Sequence, residues 1–291
     1  QAMNDKADFS SQSIGDIIAR LNNLEPEQVN QILRYQRDKG VKFGEAAVAL
    51  GMAKREDVVW SLSQQFNYPY QGKEQEAVAS ELVVATDPFD APAEFFRDVR
   101  AQMLTSVFSG PDGRQRALGV CSTDIGDGKT FFVSNLAVAF SQLPGRTLLI
   151  DADLRTPRLH TLFGSNKVSQ GLSSVLAGRT DVNVIRPIDS LPNLYFLPAG
   201  VVPPNPLELV QGPVFSHLLE TVGKRFDYVL VDTPAASHGA DARVIASKCG
   251  ASVLLARRGI TRVKAMRDLA DRLQKSCELF CGVLYNAHAP S

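Results

Sequence analysis

Residues 121–130 read CSTDIGDGKT, and beyond a helix-like run residues 148–153 read LLIDAD. Gly126, Gly128, Lys129 and Thr130 are the residue types of a loop that cradles phosphate. Glycines let backbone N–H groups turn toward an anion, Lys places a point charge on it, and Thr can hold a magnesium ion. The strict pattern has a Gly five residues before Gly128, and Thr123 stands there instead. The flanks supply what the loop lacks. RALGVCS (116–122) reads as a buried strand, and KTFFVSNLAVAFSQL (129–143) reads as a helix whose N-terminus faces the phosphates. Thr123, Asp124, Ile125, Gly126, Asp127, Gly128, Lys129 and Thr130 are therefore the expected ligand-binding segment.

Outward from this loop the pattern alternates. AEFFRDVRAQMLTSVF (93–108) is a predicted helix. Strand-like runs follow at 117–122, 147–151, 194–198, 227–232, 252–257 and 280–285, with helical runs at 129–142, 171–177, 206–223, 241–248 and 261–276. Apolar strands separated by helices imply an α/β fold with a mostly parallel, doubly wound sheet covered on both faces. The ligand should bind beyond the C-terminal ends of the strands.

Three carboxylates stand at such ends. LLIDAD supplies Asp151 and Asp153, and VLVDTP (229–234) supplies Asp232. Magnesium prefers hard oxygen ligands and keeps several waters. Thr130, Asp232 and one of Asp151 and Asp153 suit its shell, with Asp151 taken as the metal-side member. The remaining carboxylate is then free to accept a proton from an attacking hydroxyl or to orient it. The catalytic candidates are Lys129, Asp151 and Asp153. Asn205-Pro-Leu-Glu208 reads as a helix start close to a capping box.

Residues 13–65 hold a tandem repeat, SIGDIIARLNNLEPEQVNQILRYQ from Ser13 and KFGEAAVALGMAKREDVVWSLSQQ from Lys42, at a constant offset of 29. Each copy reads as a short helix, a turn and a second helix, which gives a small all-α domain of two helical hairpins over 1–70. Residues 71–92 are the expected linker, acidic and punctuated by Pro88 and Pro92. Residues 93–291 form the main domain.

Lys+Arg and Asp+Glu both number 31, so no global polyanion signature is present and no nucleic-acid partner is expected. Arg257, Arg258, Arg262, Lys264, Arg267, Arg272 and Lys275 against Asp268 and Asp271 form one local basic patch, read mainly as a solvated face, with polyanion or anionic-lipid contact as the minor reading. The four cysteines make no CxxC pair, which fits reduced, mostly buried thiols in a cytosolic protein. No apolar run approaches the ~20 residues that a membrane helix needs, and no signal peptide is visible. Cytoplasmic placement, peripheral at the inner membrane through a partner, is the expectation.

STDIGDGKT, LLIDADLRTPRLH and YVLVDTPA in this order resemble the P-loop NTPases that are bacterial tyrosine kinases of exopolysaccharide chain-length control. PAGVVPPNPLELV (198–210) and the Glu-x-x-Arg-x-x-Arg pattern at Glu94, Arg97 and Arg100 are similar to further stretches of that family. The resemblance covers residues 93–287. It implies MgATP binding, tyrosine phosphorylation between subunits, a homo-oligomeric ring joined through Glu94, Arg97 and Arg100, and a chain-length membrane protein (a polysaccharide co-polymerase) as activator. Asn286 resembles the adenine-side Asn of related ATPases. Partition ATPases of the ParA and MinD type share the fold but carry an extra Lys early in the loop, where this chain has Asp124. Family members usually end in a tyrosine cluster, whereas only Tyr285 lies near the end here. The tail is trimmed, or the acceptor tyrosine is on another protein, or the chain is a nucleotide-gated assembly switch without kinase activity.

The N-terminal repeat resembles the N-terminal domain of type II secretion ATPases of the MshE type, some of which bind cyclic di-GMP. There each block opens Arg-Leu-Gly, but Ser13 and Lys42 stand at the two arginine positions here, and Asn22 replaces a mid-block Gly. Lys42 supplies charge without the bidentate fork of Arg. Protein docking is therefore the favoured role of residues 1–70, over cyclic di-GMP binding.

Overall fold

The computed structural model describes residues 13–65, 78–164 and 169–287. It divides into two compact units. One takes the N-terminal helices with Asp87–Phe89; the other takes the preceding stretch through Thr86 and everything from Asp90 onward.

The first unit holds α1 (Ile14–Leu21), α2 (Pro26–Lys39), α3 (Phe43–Ala49) and α4 (Arg55–Gln65), a shorter and a longer helix in each copy of the repeat, with α1 packed mainly on α4 and α2 mainly on α3, across the two copies. Its core is Ile18, Ile32, Ala46, Ala47 and Ala53. Small residues dominate because the helices approach closely. A Cβ on Gly44 would stand 2.5 Å from Val58 Cγ1. The helix starts are capped locally. The Asp16 amide donates to Ser13 Oγ (3.2 Å), and the Ser13 amide donates back to Asp16 Oδ2 (3.3 Å). Lys42 occupies the same place before α3, its amide donating to Glu45 Oε2 at 3.0 Å.

In the second unit α5 (Val83–Thr86) and α6 (Ala91–Met103) precede β1 (Ala117–Ser122), α7 (Lys129–Ser141), β2 (Thr147–Asp151), α8 (Leu159–Leu162), α9 (Leu172–Leu176), β3 (Arg186–Pro187) and β4 (Leu194–Leu197). Then come α10 (Pro206–Gln211), α11 (Pro213–Gly223), β5 (Tyr228–Asp232), α12 (Asp241–Cys249), β6 (Gly250–Arg257), α13 (Val263–Ser276) and β7 (Leu279–Asn286). The sheet order is β3-β4-β2-β5-β1-β6-β7, parallel throughout except at β3. Every residue of β1 and β2 is buried, because helices cover both faces. On one face α6 and α7 lie over the sheet, with Phe96, Phe132 and Phe140 in the core. Phe215, Ile245, Leu269 and Leu273 fill the other face. Asp151 and Asp232 are register partners at the ends of β2 and β5, so the topology sets two carboxylates side by side.

The structure departs from expectation in four places. Part of the stretch expected as a linker belongs to the core: Leu82 and Val84 are buried, the Val84 amide donates to Asn135 Oδ1 (3.1 Å), and Asn135 Nδ2 donates to the Glu81 carbonyl (2.8 Å). Leu82 and Val84 turn in, while the half-buried Glu81 pairs with Arg158 at 2.6 Å. The run 206–223 is two helices, because Pro213 cannot continue a helix and opens α11 after an extended Gly212. Asn205 makes no side-chain cap, so the capping box with Glu208 does not form. β3, only two residues long and exposed, had no periodicity to reveal it.

Candidate active site

Gly126 (φ 88°) and Gly128 (φ 90°) both occupy left-handed backbone, which allows the loop to close over the start of α7. The site is then assembled around Asp232. Lys129 Nζ lies 3.1 Å from Asp232 Oδ1, and Thr130 Oγ1 donates to Asp232 Oδ2 at 3.1 Å. Beside it, Asp151 is fully buried. Its Oδ1 accepts the Asp153 amide at 3.2 Å, and its Oδ2 is buried with no hydrogen-bond partner among the described residues. Asp153 is occupied differently. Oδ1 accepts the amides of Arg155 (3.1 Å) and Thr156 (2.9 Å), and Oδ2 accepts Thr156 Oγ1 (3.1 Å). Asp153 therefore holds its own turn. That turn is tied to α12 by a bidentate pair, Arg155 Nε and Nη2 to the buried Asp241 carboxylate at 2.9 and 3.0 Å.

Electrostatics follow the burial. Burial opposes the charge of Lys129, but Asp232, Asp153 and Asp151 together outweigh it and raise its pKa. Burial, with Asp232 and Asp153 adding repulsion, pushes the Asp151 carboxyl well above the usual range. Burial raises Asp232 as well, against the pull of Lys129.

The rest of the loop is braced from the far strands. Asp127 turns inward, accepting the Asp124 amide (2.9 Å) on Oδ2 and Thr261 Oγ1 (2.8 Å) on Oδ1. The Thr123 carbonyl accepts the Ser237 amide at 2.9 Å, and Ile125 is exposed. Asn286 Nδ2 donates to the Asp127 carbonyl at 3.3 Å, and a Cβ on Gly128 would stand 2.5 Å from that nitrogen. Arg257 Nη1 donates to the Gly126 carbonyl at 3.1 Å. Arg257 and Thr261 are the residues that the sequence reading missed; Arg257 was visible only as one member of a basic run.

A hard-oxygen cation fits these residues. The Thr130 hydroxyl, the Asp232 carboxylate and the orphaned Asp151 Oδ2 are oxygen donors of the kind that magnesium takes. Among the described residues no group of three or more His, Cys, Asp and Glu could hold a metal ion alone. Magnesium bound through one or two carboxylates and phosphate oxygens needs no such cage.

No protein-family model matches the sequence. The tyrosine-protein kinase CpsD of Streptococcus agalactiae is 32% identical over 193 residues, which are 66% of this chain and 82% of that protein. The chain belongs to the bacterial tyrosine kinases. The tyrosine-protein kinase Wzc of Salmonella typhi is also 32% identical, over 208 residues; the match takes 72% of this chain but only 28% of Wzc. The kinase domain of the Escherichia coli tyrosine kinase ETK superposes with a TM-score of 0.67 at 29% identity, covering 77% of this chain and 88% of that domain. The α/β P-loop fold and the protein-tyrosine kinase class that the motifs implied are thus those of the family. No helix among the described residues is long and apolar enough to cross a membrane.

Proposed function

We propose that the chain is an MgATP-dependent tyrosine kinase that regulates exopolysaccharide chain length and export. The observation that carries the reading is the alignment of Asp151 with Asp232 beneath Lys129 and Thr130. Lys129 and the loop amides hold the phosphates, with Asn286 at the base side. Thr130 and Asp232 would hold magnesium, which when bound would supply positive charge beside the phosphates. Asp151, expected from the sequence on the metal side, is instead assigned as the proton acceptor for the tyrosine hydroxyl, because its Oδ2 is unsatisfied whereas both Asp153 oxygens are taken by the Arg155–Thr156 turn. Asp153 positions the turn. The test is mass-mapped phosphotyrosine after incubation with MgATP, on this chain and on co-purified proteins. Nucleotide-dependent assembly with no phosphotyrosine on either would establish the switch reading instead. Should Asp153→Asn reduce turnover more than Asp151→Asn, the two aspartates exchange roles.

A membrane chain-length protein is the proposed activator, and homo-oligomerisation the proposed assembly. On α6 the Arg97 guanidinium bonds Glu94 Oε2 (2.9 Å) and Arg100 Nη1 donates to the Ala139 carbonyl (2.6 Å), so the two half-buried arginines are tied to their own subunit while Glu94 is exposed. Arg97→Ala/Arg100→Ala is expected to lower the mass measured by light scattering. A parent that is monomeric at micromolar concentration would return the stripe to a purely intramolecular role.

For the N-terminal unit we propose protein docking. Ser13 and Lys42 stand at helix starts whose amides are satisfied by neighbouring acids, and neither offers the planar fork that guanine edges and phosphates favour. Calorimetric titration of the whole chain with cyclic di-GMP is expected to show weak or no binding. A sub-micromolar one-site isotherm would make the kinase second-messenger controlled.

A further inference from the structure

The turn that braces the phosphate loop has an outer face that is both cationic and apolar. Arg258, Arg262, Lys264 and Arg267 are all exposed there. None forms an ion pair among the described residues, and the nearest acids along the chain, Asp268 and Asp271, lie further along α13. Between the cations project Ile260, 52% exposed, and Val263, 58% exposed. On α13 the positions 263, 264 and 267 share the outer face, while Met266, Leu269 and Leu273 are buried on the other. The chain as a whole has no net charge, so this cluster is a local feature and not part of a generally basic surface.

The combination selects a partner. A merely solvated face has no use for two exposed β-branched side chains at its centre. A nucleic acid would take the cations and leave the aliphatic tips in water. An anionic bilayer takes both, with cations among the headgroups and aliphatic tips at the acyl boundary. We propose that Arg258–Arg267 is a docking surface for an anionic lipid bilayer. Its inner side is the brace itself: Arg257 holds the Gly126 carbonyl, and Thr261 holds Asp127. The bilayer surface and the phosphate loop are therefore opposite sides of one turn.

The test is co-sedimentation of the whole chain with vesicles of phosphatidylcholine alone and of phosphatidylcholine with phosphatidylglycerol, at low and high salt. Binding is expected only with the anionic vesicles and should weaken with salt. Arg258→Ser/Arg262→Ser/Lys264→Ser/Arg267→Ser should lower partitioning by about 100-fold or more, since each juxtamembrane cation contributes a several-fold factor. Ile260→Ser/Val263→Ser should lower it about 10-fold with the salt dependence unchanged. Thermal melts of both variants verify folding. Absence of the parent from anionic vesicles overturns the proposal, as does a four-cation variant that sediments like the parent. Full retention by the Ile260/Val263 variant, with duplex DNA competing completely, would show a general polyanion patch instead. The measurement needs no kinase activity, so it stands or falls apart from the catalytic reading.

Discussion

Asp151→Asn is expected to lower tyrosine phosphorylation about 1,000-fold while making the protein more resistant to heat. The two effects have opposite signs because the site asks for a group that the fold does not favour. Asp151 is fully buried, one carboxylate oxygen has no partner, and Asp232 lies opposite it in register. Replacing the carboxylate by an amide of the same shape removes a buried like-charge contact, which is worth roughly 1–3 kcal/mol of stability. The pH dependence gives the sign independently. The folded-state pKa is raised above the unfolded value, so the native state binds the proton more tightly. Stability of the parent therefore declines as pH rises from about 4 toward the folded value, and the Asn variant lacks that decline. The gap in Tm should widen with pH. Nucleotide affinity should change far less than turnover, because this carboxylate acts on the transition state. An Asn variant that melts below the parent at every pH would show that Asp151 is structural.

The glycine-shaped loop and the strand-end carboxylates were legible in the sequence because both depend on short-range rules. Gly126 and Gly128 mark positive φ, and a strand that runs into Asp marks a sheet edge at the ligand side. The different employment of Asp151 and Asp153 was not legible, since it depends on which oxygen meets which amide across a three-residue turn. The Arg257 brace was out of reach for another reason: its partner Gly126 lies 131 residues away, and no local pattern encodes that meeting. The inward turn of Leu82 and Val84 was hidden by composition. Acidic neighbours made the stretch read as solvated, although two apolar residues suffice to seat it on α7 through Asn135. The break between α10 and α11 was readable in principle, because Gly212-Pro213 is a helix-ending pair that a continuous apolar pattern outweighed in the reading.

Lys129→Met is expected to abolish the stabilisation that MgADP gives the parent, and with it phosphoryl transfer. Nucleotide at about 100 times its Kd adds roughly 2.7 kcal/mol to a protein that binds it only when folded, a shift easily read in a thermal melt. In the proposed role Lys129 brings a point charge to the phosphates, and Asp232, Asp153 and Asp151 outweigh burial to keep it protonated. The same substitution removes the cation from Asp232, leaving Thr130 as the one other side chain bonded to that carboxylate among the described residues. Breaking a buried pair costs about 3–5 kcal/mol when the remaining charge must stay ionised. Asp232 avoids part of that cost by taking a proton, for which burial already prepares it. The variant should therefore lose little stability near pH 5 and progressively more toward pH 8, the sign that a further raised carboxylate pKa requires. Lys129→Met/Asp232→Asn separates the two roles. The double variant should recover most of the lost stability, since it has neither the buried charge nor its missing partner, and it should remain unresponsive to MgADP. A Lys129→Met protein stabilised by MgADP as strongly as the parent would place the nucleotide elsewhere than on this loop.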